Sequence, residues 1–211
     1  LRSDGPLGTA VAAQIGLDQY AQEDVDTYKV NFEYTLSDDI LLYALAASGY
    51  RAGGFNVANL HTAGVVPPYE SDSLWNYEIG ARTSWLDNRL IANAVVYLID
   101  WEDMQLTKQI IDENGFTNAT DNIGKARVEG LELEVDYRLS EYLSFGVNYA
   151  YTDTTLEEDV PGENAFKGDR LPGSAKHVHS LFIDYVRPIT DEMDVDVRFT
   201  QRYIGDRVTV L

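Results

Sequence analysis

Ser73-Leu74-Trp75-Asn76-Tyr77-Glu78-Ile79-Gly80-Ala81-Arg82-Thr83-Ser84-Trp85 decides the fold. Side chains alternate sides along a strand, so Trp75, Tyr77, Ile79, Ala81, Thr83 and Trp85 share one face, and Asn76, Glu78, Gly80, Arg82 and Ser84 share the other. The first face is apolar with an aromatic at each end; the second suits water. Asp87-Asn88-Arg89 signals a turn, and the chain returns through Ile91, Val95, Tyr97, Ile99 and Trp101. A three-residue turn sets Leu86 opposite Leu90 and Trp85 beside Ile91, which leaves Asn93 as a misfit on the apolar side. The arms are about twice the usual 5–6 residues of a strand in a globular sheet. Strands of ~9–11 residues with aromatic girdles are those that cross a bilayer at a tilt.

The same two-faced pattern recurs on either side. Tyr28, Val30, Phe32, Tyr34 and Leu36 alternate with Lys29, Asn31, Glu33 and Thr35, and Ile40 to Tyr50 follows a turn at Ser37-Asp38-Asp39. Leu131, Leu133, Val135, Tyr137 and Leu139 alternate with Gly130, Glu132, Glu134, Asp136 and Arg138. Leu143, Phe145, Val147, Tyr149 and Tyr151 continue that face if Ser140 to Tyr142 is a three-residue turn pairing Leu139 with Leu143. A seventh strand carries Leu181, Ile183 and Tyr185, a turn covers Arg187 to Glu192, and an eighth carries Val195, Val197, Phe199 and Tyr203. Residues 1–24 read as a loop or a poorly ordered start. Connections alternate between short turns and long loops at about 51–72, 108–121 and 153–176, the asymmetry of an outer-membrane barrel. Arg or Lys at mid-bilayer costs about 2–4 kcal/mol, so the charged parity belongs in a wet lumen. The expected fold is all-β, an antiparallel transmembrane β-barrel wall of about eight strands.

Composition narrows the function. The chain has 211 residues and no cysteine, which excludes disulfides and thiolate metal sites. Its 16 Lys+Arg against 35 Asp+Glu give a net charge of −19, which repels nucleic acid. No apolar run reaches the length of a transmembrane helix, and Leu1-Arg2-Ser3-Asp4-Gly5 has no signal-peptide pattern.

Gly49-Tyr50-Arg51-Ala52-Gly53-Gly54-Phe55-Asn56, the run from Tyr69 to Gly80, Val128-Glu129-Gly130-Leu131-Glu132-Leu133-Glu134 and Leu171-Pro172-Gly173-Ser174-Ala175-Lys176-His177 together resemble TonB-dependent outer-membrane receptors. The resemblance covers residues 28–207 and falls late in that family's barrel. It implies a barrel of about 22 strands closed by a plug domain, in the bacterial outer membrane. It also implies TonB-driven uptake of a scarce nutrient such as a ferric siderophore. Residues 1–211 then form part of one barrel domain, an internal piece whose strands run from about 28 to 207. The plug is not among them, and Arg207-Val208-Thr209-Val210-Leu211 lacks the family's aromatic-ended last strand.

No arrangement of nucleophile and base, and no phosphate-binding glycine loop, points to an enzyme, and no cofactor is implied. His177 and His179, two apart on a strand, could share a metal ion, or could simply occupy the polar rim. His61 lies alone in a loop. Asp112-Glu113-Asn114-Gly115 resembles half a calcium loop and is also ordinary turn grammar. The long loops and the outer lumen are where a ligand is expected, with Arg51, Phe55, Asn56, Tyr69 and Glu70 as candidates: an Arg fork for acidic groups and aromatics for stacking. Three alternatives stand beside this reading. A complete eight-stranded barrel with a structural or adhesive role would pair its first and last strands. The others are an outer-membrane or periplasmic enzyme and a soluble β-sandwich binding module.

Overall fold

A computed structural model describes residues 24–56, 67–112, 115–160 and 165–209. His61, Glu113 and Asn114 of the sequence reading, most of the residue 1–24 loop, and Val210 and Leu211 lie outside these ranges. The described residues form β1 (Lys29–Ser37), β2 (Ile40–Arg51), β3 (Asp72–Trp85), β4 (Leu90–Glu102), β5 (Gln105–Asp112), β6 (Gly115–Asn122), β7 (Ala126–Arg138), β8 (Leu143–Leu156), β9 (His177–Thr190) and β10 (Met193–Ile204). Eight of them make one antiparallel sheet in the order β1-β2-β3-β4-β7-β8-β9-β10, and β5-β6 is a separate hairpin. A single continuous sheet is not the two facing sheets of a sandwich. β1 pairs only with β2 and β10 only with β9, so the first and last strands do not close on each other as a small complete barrel requires.

The register assigns the faces. The rows Val30–Ala46–Tyr77–Leu98 and Phe32–Ala44–Ile79–Val96 run across four strands. Beyond them, Ala94–Leu133–Tyr149–His179–Tyr203 crosses five. This face is bare: Phe32 is 71 % exposed and Ile79 66 %. A sheet-wide apolar surface with no protein over it is a surface for hydrocarbon. The opposite face carries Glu78, Arg82, Glu132, Glu134 and Asp136, beside Asn93, Asn148 and Asp184. β2, ambiguous in sequence, turns Leu42, Ala44 and Ala46 outward and Leu41, Tyr43 and Leu45 inward.

Three details differ from the sequence reading. Trp85, not Leu86, begins the pairing, with Leu90 as its partner. The turn has four residues, and Leu86, Asp87 and Asn88 take φ of 58°, 57° and 62°. Short polar side chains at Asp87 and Asn88 tolerate that left-handed backbone. One extra residue inverts β4. Ile91, Val95, Tyr97, Ile99 and Trp101 therefore face inward, while Ala92, Ala94, Val96 and Leu98 face lipid. Asn93 stops being a misfit: it sits opposite Arg82 and donates to Glu134 at 2.9 Å. Second, the stretch 108–121 is not a plain loop: its described residues belong to the β5–β6 hairpin, in which Asp112 and Gly115 of the suspected calcium half-loop stand opposite each other. Third, β9 continues through Pro188 to Thr190, and its turn is Asp191-Glu192 alone. Val186 sends its N–H to the Tyr142 carbonyl on the β8 side, so the N–H that Pro188 lacks would point the same way, past the end of the β8 ladder, where its loss costs little. At β7–β8 the ladder ends with Arg138 opposite Ser144, the register that a three-residue turn from Ser140 to Tyr142 requires.

Three inward glycines are each overlaid by the ring across from them: Tyr43 on Gly80, Tyr97 on Gly130 and Phe182 on Gly146. The rings lie along the wall and do not project into the lumen.

The long connections share one end of the sheet, and there the chain builds its own core. Met104, Ile123, Ala126, Leu156, Val160, Ala165 and Leu171 are buried together, with Trp101 and Leu106 against them. Backbone bonds Ile123 N–H to Met104 O (2.8 Å), Leu156 N–H to Asp169 O (2.9 Å) and Leu171 N–H to Thr154 O (3.0 Å) knit it.

Candidate functional site

The inward face of β2, β3 and β4 ends, on the long-loop side, in Arg51, Asp72 and Trp101. Arg51 is opposite Asp72 in the ladder. Its Nε donates to both carboxylate oxygens at 3.1 and 3.0 Å, and its Nη2 reaches Asp72 Oδ2 and the Gln105 carbonyl, the latter at 3.0 Å. The guanidinium lies 4.8 Å over the Trp101 ring. Asp72 is buried and also accepts the Gln105 backbone N–H at 3.0 Å. Burial pushes its carboxyl up, but Arg51 and the Gln105 N–H outweigh that and hold it below the ordinary range.

The loop segments on either side are bound to the β5–β6 hairpin. Gln105 Nε2 donates to the carbonyls of Ala52 (3.0 Å) and Glu70 (2.9 Å). The Asn56 amide brackets the backbone of Thr120, accepting its N–H and donating to its carbonyl, both at 2.7 Å. The Asn122 amide does the same to Glu70, at 2.7 and 3.0 Å. Gly54 and Tyr69 exchange two backbone bonds of 2.9 Å, and a side chain at Gly54 would collide with the Tyr69 ring.

All five sequence candidates thus gather at the mouth of the lumen, with different jobs. Asn56 spends its amide on Thr120 and on the Pro67 carbonyl. Tyr69 packs on Gly54. The side chains of Phe55 and Glu70 are exposed. Arg51 is half exposed, and among the described residues its Nη1 makes no hydrogen bond. Asp72, Gln105, Trp101 and Asn122 were missed. Asp72 falls at the end of the expected 51–72 loop, and Gln105 and Asn122 flank the expected 108–121 loop, so periodicity carries no signal for them.

His177 and His179 face outward, at the loop-side edge of the apolar band. His177 Nδ1 is 2.9 Å from the Tyr149 hydroxyl, and His179 stacks on Tyr203 with ring centres 4.9 Å apart. The structure therefore puts them among the interface aromatics. Among the described residues no three His, Asp or Glu side chains converge as a metal site.

A one-sheet antiparallel wall, aliphatic outside and charged inside, with turns at one end and built loops at the other, is the wall of an outer-membrane β-barrel. The chain belongs to the TonB-dependent receptors: residues 5–210 match the family described as TonB dependent receptor-like, beta-barrel. It is similar to the pesticin receptor of Yersinia pestis, 27 % identical over 166 residues, which cover 78 % of this chain and 23 % of that protein. It is also 27 % identical over 203 residues to an uncharacterized TonB-dependent receptor of Haemophilus influenzae, covering 96 % of this chain and 55 % of the relative. Among solved structures, the ferric yersiniabactin uptake receptor FyuA from Yersinia pestis superposes with a TM-score of 0.67 at 24 % identity, over 84 % of this chain and 25 % of the other. The chain thus spans between about a quarter and about half of the curated relatives it matches. It is a protein of the bacterial outer membrane.

Proposed function

We propose that the protein takes up a scarce nutrient through the outer membrane, a ferric siderophore being the first candidate, by binding and transport and not by catalysis. Energy would come from the TonB system acting through the family's plug domain, with outer-membrane lipid around the wall. The observation that carries the reading is the mouth of the lumen. Polar and aromatic groups face inward there, under long loops, in a chain whose relatives include siderophore receptors. Arg51 offers the exposed half of its guanidinium to an acidic ligand oxygen, and Phe55 offers a stacking surface. Glu70, Tyr69 and Asn56 complete the candidate contact set. The long loops lie outside the cell on this reading and the short turns in the periplasm.

The test is uptake of ferric yersiniabactin labelled in the iron, in cells carrying the full-length receptor, with and without TonB. TonB-dependent accumulation above a receptor-deleted strain is expected. Accumulation that persists without TonB, or none with any of a panel of ferric chelates, would sink the reading.

A further inference from the structure

The loop segments 51–56 and 67–72 belong to the β2–β3 connection and the β5–β6 hairpin to the β4–β7 connection, yet one buried carboxylate joins the two. Asp72 is 2 % exposed. It accepts the backbone N–H of Arg51 at 3.2 Å, the Arg51 Nε, and the Gln105 N–H at 3.0 Å, and so ties the end of β2 to the first residue of β5. Gln105 then reaches back to Ala52 and Glu70, and the amides of Asn56 and Asn122 close the circuit. Among the described residues β5–β6 has no ladder to the wall, and its two strands pair only with each other. These side-chain bonds, with the packing of Met104, Leu106 and Ile123 at its base, set where the hairpin stands. A buried, fully hydrogen-bonded carboxylate is the rigid member of such a circuit, because each lost partner leaves a polar group buried and unpaired.

We propose that Asp72 is a positioning residue for the lumen mouth. It fixes the guanidinium of Arg51 and, through Gln105, makes the β5–β6 hairpin and the two loop segments beside it move as one body. The part that concerns ligand binding rests on the uptake reading above; the mechanical part does not.

The test is hydrogen–deuterium exchange on the full-length receptor in nanodiscs, for the wild type, Asp72→Asn and Asp72→Glu, beside uptake of ferric yersiniabactin. Asp72→Asn should speed exchange at the Gln105 and Thr120 amides by about tenfold or more, the loss of a hydrogen bond to a charged group. The Val135 and Val147 amides of the wall should be unchanged, and Asp72→Glu should recover part of the protection. The same variant should raise the half-saturating ligand concentration and leave the maximal uptake rate alone. Unchanged exchange at Thr120 would overturn the proposal, and so would an equal rise throughout the wall, which would make Asp72 a general stability residue. If Asp72→Asn fails to fold, Gln105→Ala opens the circuit from the hairpin side and Asn56→Ala from the loop side, both with the ion pair intact. They should give the same local rise, and no rise overturns the idea. A wild type that takes up none of the ferric chelates counts against the uptake reading, while the exchange result still decides the mechanical claim.

Discussion

Tyr97 lies flat across Gly130, its neighbour on the next strand, and an added side-chain carbon at Gly130 would run into the ring. The Tyr97 hydroxyl is meanwhile held 3.1 Å from Thr152 Oγ1. Gly130→Ala should force the ring off the wall at a cost of about 1–3 kcal/mol. It should lower the temperature at which the barrel loses its compact form in unheated-versus-heated gel electrophoresis. Pairing it with Tyr97→Ala should recover part of the loss, because the obstacle is then gone. Equal melting of Gly130→Ala and wild type would show that the overlay is unimportant.

The four-residue turn makes a prediction that the three-residue turn reverses. Spin labels at Val96 and Val95 should report oxygen from lipid at the first and water-borne relaxant at the second, since Val96 shares a row with Ile79 and Val95 pairs with Gly80. The opposite pattern would restore the shorter turn.

Asp72 predicts an acid limit for the loop assembly. Its folded carboxyl titrates below the ordinary 3.8. A depressed acid contributes stability that is fully present above the unfolded value and is lost as pH falls through the folded one. Protection of the β6 amides should therefore hold from neutrality to about pH 4 and decline below it. In Asp72→Asn the same amides should be weakly protected at every pH, with no step attributable to this group.

Leu156 is 1 % exposed in the loop-end core. Leu156→Ala should destabilise that core by about 2–5 kcal/mol. Limited proteolysis should then cut within residues 157–176, while the wall stays intact on gels. Loss of the wall at the same protease dose would show that the two parts melt together.

The chain has no cysteine, so single cysteines at Asn88 and Asp159 can report sidedness. A membrane-impermeant maleimide on intact cells should label Asp159→Cys, in the connection after β8, and leave Asn88→Cys, in the β3–β4 turn, unlabelled. Labelling at Asn88 alone would invert the topology.

Strand positions were legible wherever one parity was apolar and the other charged. β3 and β7 show this plainly: Glu78 against Ile79, Glu132 against Leu133. β4 failed because Ile91, Val95 and Ile99 are as apolar as Ala92, Val96 and Leu98, so alternation says nothing about which side is which. Asn93 is the residue that discriminates, because its amide fits the inward face only if the turn has four residues. The β5–β6 hairpin was illegible for a different reason. Thr107, Asn118, Thr120 and Asn122 give no apolar period, and the hairpin is held by side-chain amides bonding to backbone, which no alternation encodes. The candidate site fared similarly. Residue type and loop position point to Arg51 and Asn56 as candidates, but their neighbours Asp72 and Gln105 are polar residues at strand ends, distinguishable only once the fold brings them together.

The loop-end core gives the molecule two solvents. Between its aromatic edges the wall has little of its own apolar matter buried, since its aliphatic side chains wait for hydrocarbon. Its persistence thus depends on backbone ladders that lipid cannot replace. Above that band Leu156, Leu171, Val160 and Ile123 turn away from water in the ordinary manner of an aqueous protein, with the heat-capacity signature such burial brings. Detergent exchange and bilayer thickness should therefore act on one part of the chain, and urea and cooling on the other. An outer surface that weakens in the cold while its anchor does not would have a temperature response of its own, set by seven buried residues.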